Sequence, residues 1–323
     1  MDYNLIRCYH ITTVKNMTQK KRRKKMKKIF CALICMATFF ASTVPAFAAE
    51  VNTAPSTDID GTKHRLVKSV KVYCADYDTN EWSLDYTQNV EYQNAYPTMI
   101  EQVYSDEELG SSKMLFEYTF ENNLPKTSVI KNDANHETTK IEYNNGRVYN
   151  VHTDNEGGGS SDTIYQYANG DGYFTSLLGS RYTPGTEYSP EEFAEEMDSV
   201  QIITENGVIK KSINTGYFTK RTSGSKKNWT RFNGTYTTEY DSDGIVKIMS
   251  ADFREAPSQI QKTVEVEKEN GIITGTILKS GTNGAVKFEF EYTDEEINAA
   301  RYAQMMNYFI IGAGSNYYNY NWY

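Results

Sequence analysis

Cysteine is scarce in this chain: 4 among 323 residues, with Cys8, Cys31 and Cys35 all ahead of residue 49. Once a leader is removed only Cys74 remains, so a disulfide-stapled scaffold is excluded. Proline is down to 7 residues, which excludes a collagen-like chain. No apolar run reaches the ~20 residues of a membrane helix, so a multi-span helical protein is excluded as well. Positive charge is short beyond residue 48: 24 basic against 41 acidic residues, a net of −17. Such a surface repels phosphate backbones, and nucleic acid is not an expected partner. Aromatic residues are plentiful, with 26 Tyr and 13% Phe, Trp and Tyr in all. Disorder is thereby excluded, since that composition can build a core.

The N-terminus is a leader in outline. Lys20 to Lys28 is a cationic stretch, Ile29 to Val44 is uncharged and mostly apolar, and Ala46-Phe47-Ala48 has the small-x-small pattern of a signal-peptidase site. Residues 1–48 are read as a signal peptide with cleavage before Ala49. Residues 1–16 form an upstream extension, because starts at Met17 or Met26 give leaders of ordinary length. A retained single-pass anchor is the alternative, and the short apolar run weighs against it. Neither Cys31 nor Cys35 ends that run in a lipobox, so lipid anchoring is disfavoured. The protein is expected to be secreted, with no stable membrane span.

Residues 49–64 are polar and aperiodic, a flexible spacer. From Arg65 the dominant period is two. Met114, Phe116, Tyr118 and Phe120 fall on one face; Val286, Phe288, Phe290 and Tyr292 alternate with Lys287, Glu289 and Glu291. Those are half-buried antiparallel strands, apolar inside and charged outside. Asn145-Gly146, Asn169-Gly170, Asn206-Gly207, Asp243-Gly244, Asn270-Gly271 and Asn283-Gly284 divide the apolar runs. Such dipeptides tolerate the positive φ angles of type I′ hairpin turns. Two helices are predicted in addition. One opens at Ser189-Pro190-Glu191-Glu192 and runs through Met197; the other opens at a capping box, Thr293 to Glu296, and runs to about Phe309.

The expected fold is therefore all-β. It is an antiparallel meander of Asn/Asp-Gly hairpins over residues 65–311, one large curved sheet or open half-barrel, with a C-terminal helix packed on it. A single domain is expected; a break, if there is one, falls near Gly157–Ser161 or Ser180–Pro190. Residues 312–323 form a Tyr/Asn-rich tail.

Tyr240-Asp241-Ser242-Asp243-Gly244-Ile245-Val246 resembles a unit of the YD-repeat family of bacterial surface and secreted proteins. Tyr143 to Val148 and Tyr167 to Gly170 resemble shortened units, and Ile203 to Ile209 keeps the turn without the Tyr. The resemblance spans about residues 114–292 and implies an extended antiparallel sheet exported from a bacterium. Carbohydrate binding is attributed to some such repeats, but no residue here carries that over.

No catalytic, cofactor or metal set is assembled in the sequence. His64, His136 and His152 have no partner at metal-ligand spacing. Asp241-Ser242-Asp243-Gly244 begins like a Ca²⁺ loop, but Ile245 takes the fifth-position ligand slot, so a hairpin turn is the better reading. Cys74 alternates with Val70 and Val72 as a small hydrophobe. Gly157 to Ser161 lacks the Lys of a phosphate loop and reads as a linker. Candidate binding residues are Tyr317, Tyr318, Tyr320 and Trp322, an aromatic appendage for cell-wall polymer, carbohydrate or another surface protein. Tyr318, Tyr320 and Trp322 also alternate as a last strand would. The expected function is a non-enzymatic binding or surface-associated protein acting through a sheet face, to which the abundant Tyr lends amphipathic surface. The alternatives are a secreted hydrolase using two distant carboxylates and a half-barrel carrying lipid or peptide.

Overall fold

Alternation of apolar and polar positions builds strands along most of the described residues, and each strand pairs with the next. The computed structural model describes residues 64–314, apart from 76–78, 80, 123, 135, 145–146, 168–173, 188–190, 206–207, 223–229, 254–255 and 281–284. The leader, the spacer to residue 63 and the tail residues Tyr317, Tyr318, Tyr320 and Trp322 lie outside the described residues.

The strands are β1 (Arg65–Ala75), β2 (Trp82–Gln93), β3 (Tyr96–Tyr104), β4 (Ser111–Glu121), β5 (Leu124–Asn132), β6 (Glu137–Asn144), β7 (Arg147–Asn155) and β8 (Ser160–Tyr167). They continue as β9 (Phe174–Thr183), β10 (Glu192–Glu205), β11 (Val208–Thr222), β12 (Thr230–Tyr240), β13 (Val246–Phe253), β14 (Ala256–Glu269), β15 (Ile272–Ser280) and β16 (Ala285–Glu296). One α-helix, α1 (Ala299–Gly314), follows. All strands are antiparallel neighbours in chain order, and β16 pairs back onto β1.

That last pairing corrects the expected open half-barrel: the sheet is a closed barrel. Val70, Val72 and Cys74 stand opposite Phe290, Phe288 and Val286. The two apolar faces thus continue each other across the seam, and closure satisfies edge N–H and C=O groups that an open sheet would leave to pair with another chain.

The predicted helix at 189–197 is also overturned. Glu192 to Ser199 belong to β10, bonded on one side to β9 and on the other to β11. A capping signature is a local preference, and two flanking ladders outweigh it. The C-terminal helix exists but starts later than predicted. Strand β16 runs through the expected capping box to Glu296, and Asn298 is the actual cap, its Oδ1 accepting from the Arg301 backbone N–H at 2.9 Å.

The hairpins that join even to odd strands share one construction at one end of the barrel. A register shift precedes the turn at Glu91/Tyr92, Thr119/Phe120, Glu142/Tyr143, Gln166/Tyr167, Ile203/Thr204, Glu239/Tyr240 and Glu267/Lys268. Such bulges bend and twist the strand ends. Asn94-Ala95 and Asn270-Gly271 have positive φ at both residues, as a type I′ turn requires. At Asp243-Gly244 only Gly244 does (φ +77°), and its N–H donates to the Asp241 carbonyl at 3.2 Å. This turn is therefore a type I turn closed by a left-handed glycine, not the expected primed turn. Gly157 to Ser161 is no linker either. Asn155 Oδ1 accepts from the Gly159 N–H at 2.8 Å, tying a tight turn between β7 and β8.

The core runs through the barrel from the end of the bulged hairpins as far as Tyr86, Tyr104 and Leu278. Buried side chains from β1 to β8 and β13 to β16 form one cluster with Tyr302, Met305, Met306, Phe309 and Ile310 of α1. At roughly 1.5–3 kcal/mol per fully buried large side chain, those five helix residues contribute on the order of 10 kcal/mol before entropy is counted.

Candidate functional site

Two surfaces bear on function: the outer wall of the barrel and its interior. Outward positions on β1 and β16 carry a charge ladder. Lys71 lies 3.7 Å from Glu291, Lys287 lies 2.9 Å from Glu289, and the Tyr73 hydroxyl donates to Glu289 at 2.8 Å. The Lys287 bond is the main reason the Glu289 carboxyl sits below its ordinary range. The same bond to Glu289 raises Lys287. The pattern recurs at Lys113–Glu101 (3.2 Å), Lys131–Glu117 (2.8 Å), Lys211–Glu239 (3.2 Å) and Lys279–Glu265 (2.5 Å). Exposed pairs of this kind contribute ~0–1 kcal/mol each; they define a hydrated face rather than hold the fold.

His152 stands on that wall between two acids. Its Nδ1 is 2.7 Å from Asp162 and its Nε2 is 3.1 Å from Asp154. The hydrogen bond to Asp162 is the largest influence and raises the imidazole pKa. The cluster joins neighbouring strands β7 and β8, which no spacing rule reveals. Of the other histidines, His64 packs against the Tyr302 ring at 4.9 Å and His136 sits in a turn with positive φ. Cys74 is half-buried, 3.9 Å from Asp85. Among the described residues, no group of three His, Cys, Asp or Glu side chains is arranged to hold a metal ion.

Inside, tyrosines at the bulged ends reach back to the preceding strand. Tyr92, Tyr167 and Tyr292 donate to the carbonyls of Val67 (2.9 Å), Val148 (2.8 Å) and Ile273 (2.6 Å). Tyr143 and Tyr240 meet the hydroxyls of Ser128 (3.0 Å) and Ser212 (3.3 Å). Burial raises the Tyr143 and Tyr167 phenols to about 12, so they stay neutral donors or acceptors. These tyrosines brace the barrel. Their abundance, counted above toward a binding face, is in large part structural, and the signal was available in the sequence: Tyr143, Tyr167 and Tyr240 each stand shortly before an Asn-Gly or Asp-Gly pair.

Helix α1 is latched to the same end. Asn307 accepts from the Val246 N–H at 2.8 Å and donates to the Gly244 carbonyl at 2.9 Å. Beside it, Asp241 Oδ1 accepts from the N–H groups of Asp243 and Ile245, both at 2.9 Å, and Asp243 pairs with Lys268 at 2.6 Å. Arg301 lies over the Tyr96 ring at 4.2 Å and donates to the Ala95 carbonyl. The Asp241 to Gly244 segment, weighed above as a cation loop, is thus a hairpin turn whose carboxylates serve the turn and Lys268.

Away from the helix polar side chains join the apolar ones on the inner wall. Gln88 donates to Gln102 at 3.1 Å, Thr139 meets Thr153 at 3.0 Å, and Lys262 is buried. Burial lowers the Lys262 amine to about 8.

No protein-family model matches the chain, and no curated protein matches it either. Among solved structures it is similar to a porin-like protein from Bacteroides uniformis, at 10% identity and a TM-score of 0.44, over 72% of this chain and 99% of that one. It is likewise similar to a porin-like protein from Bacteroides vulgatus, at 9% identity and a TM-score of 0.43, over 72% of this chain and 100% of that one.

Proposed function

We propose that this protein is an exported, non-enzymatic barrel scaffold that meets cell-wall polymer or a surface protein through its outer wall, and that it does not conduct solutes across a membrane. The observation that carries this reading is the direction of the side chains. Outward positions hold Lys–Glu ladders, whereas inward positions hold one apolar cluster closed by α1. A lipid-facing wall has the opposite requirement, an apolar band ~25 Å tall, and a Lys at its midplane costs roughly 2–4 kcal/mol. The leader read from the sequence and the YD-like unit at 240–246 agree with export.

The test uses the chain from Ala49 onward. It is expected to stay monodisperse without detergent, to give no conductance in planar bilayers, and to sediment with isolated cell-wall material. Sedimentation should weaken as salt rises, because exposed charges are screened beyond a Debye length of about 10 Å at 0.1 M. Removing residues 315–323 should weaken it further if Tyr317, Tyr318, Tyr320 and Trp322 share the contact. A protein that needs detergent and opens channels would overturn the reading.

A further inference from the structure

We propose that a small polar pocket in the barrel wall, towards the end away from α1, binds a carboxylate. The pocket is lined by Gln88 on β2, Ile100 and Gln102 on β3, Ser112, Lys113 and Met114 on β4, Asn132 at the end of β5, and Ala134. Apolar walls from Ile100 and Met114 flank a row of amide and hydroxyl groups, which is the usual composition of a site that orients a small ligand.

The hydrogen-bond inventory sets the chemistry. Gln88 and Gln102 are 4% and 5% exposed. Gln88 Nε2 donates to Gln102 Oε1, and Gln102 Nε2 is buried with no protein acceptor. In this amide orientation Gln102 presents its NH₂ as the unspent group. Asn132 has its carbonyl oxygen engaged by the Ala134 N–H at 3.0 Å, so its amide NH₂ is what it has left to offer. Ser112 adds a hydroxyl. Lys113 belongs to the lining, while its amine pairs with Glu101 on the outer wall at 3.2 Å. A site rich in donors, with no acid in its lining, fits an acceptor-only group, and a carboxylate is the compact one. Either a free small acid or the terminal carboxylate of a peptide supplies it.

The experiment follows the side-chain amide NMR signals of Gln88 and Gln102 in the chain from Ala49 onward while sodium acetate, acetamide or N-acetyl-dialanine is added. Acetate is expected to shift those signals and to bind at least tenfold tighter than acetamide. Tighter binding of N-acetyl-dialanine than of acetate assigns the site to peptide termini; equal binding assigns it to small acids. Gln102→Glu keeps the shape and places a like charge in the pocket, so it should abolish the acetate response; Gln102→Leu should abolish it by removing the donor. Each variant is first checked for a folded spectrum, and Ser112→Ala, expected to weaken binding without removing it, serves if either fails to fold. Signals that ignore acetate, whether or not an ordered water occupies the pocket, overturn the proposal. So does a folded Gln102→Glu that binds acetate as the parent does.

Discussion

The two ends of the barrel are built from the same strands and hold together differently. At the helix end, bulged hairpins carry inward tyrosines, and α1 covers them with Tyr302, Met306 and Ile310, each at most 0% exposed. At the other end the inner wall also carries Gln88, Gln102, Thr139 and Thr153, held by side-chain hydrogen bonds, and the buried Lys262. Apolar burial is the larger and less directional contribution, while a buried polar pair is close to neutral when satisfied and costly when not. Stability should therefore be greatest where α1 adds to the core, and the buried polar groups of the other end, set among Tyr86, Tyr104 and Leu278, should add less.

That contrast breaks most directly at Tyr302. Tyr302→Ala should cost roughly 3–5 kcal/mol through the cavity and the lost bond to Tyr292, read as a lower denaturant midpoint. A loss no larger than that of a polar-end variant such as Ser112→Ala would erase the distinction. Lys262→Met should act in the opposite direction. With its folded pKa lowered to about 8, the unfolded chain binds more protons between that value and the ordinary 10.5. Stability should thus rise with pH across that window, and the cost is fully present below it. Replacing the amine should stabilise the barrel by roughly 2–3 kcal/mol at neutral pH and flatten the alkaline rise, seen as melting temperature against pH.

Asn307→Ala should cost about 2 kcal/mol, since the Val246 N–H, in a residue 0% exposed, is left buried without its acceptor. Stability that is unchanged would mean α1 is held by its apolar face alone. Gly244→Val should cost on the order of 1–2 kcal/mol, because a β-branched residue resists the φ of +77°. The smallest effect belongs to the outer wall. His152 has a raised pKa, so its contribution is present below the ordinary value of about 6.5 and lost as pH climbs through the folded value. Being largely exposed, the cluster should be worth less than about 1 kcal/mol, and His152→Asn should remove that small acid-side gain in a pH series of melts.

Much of the wall was legible residue by residue. The alternation of Val286, Phe288, Phe290 and Tyr292 with Lys287, Glu289 and Glu291 states which face is wet, because successive side chains point to opposite sides of a strand. Asn270-Gly271 states its turn, because few other pairs accept positive φ twice. The charge ladder was visible in the same alternation. The pairing of His152 with Asp162 and the facing of Gln88 and Gln102 were not, since both depend on register between strands.

What the sequence determined by itself was local: the strand periodicity of segments such as 114–120 and 286–292, the turns at Asp243-Gly244 and Asn270-Gly271, and the existence of a C-terminal helix. The tertiary structure decided what depends on partners. Strand β1 found β16 across more than two hundred residues because the two offered matching apolar faces and open edges, and periodicity names a face without naming its neighbour. Glu192 to Met197 became strand because hydrogen-bonded ladders on both sides outweighed a helix cap. Helix α1 yielded its first predicted turn to β16 for the same reason, and took its place where the inward tyrosines, Val246 and Gly244 left a shape and two backbone groups for it to meet.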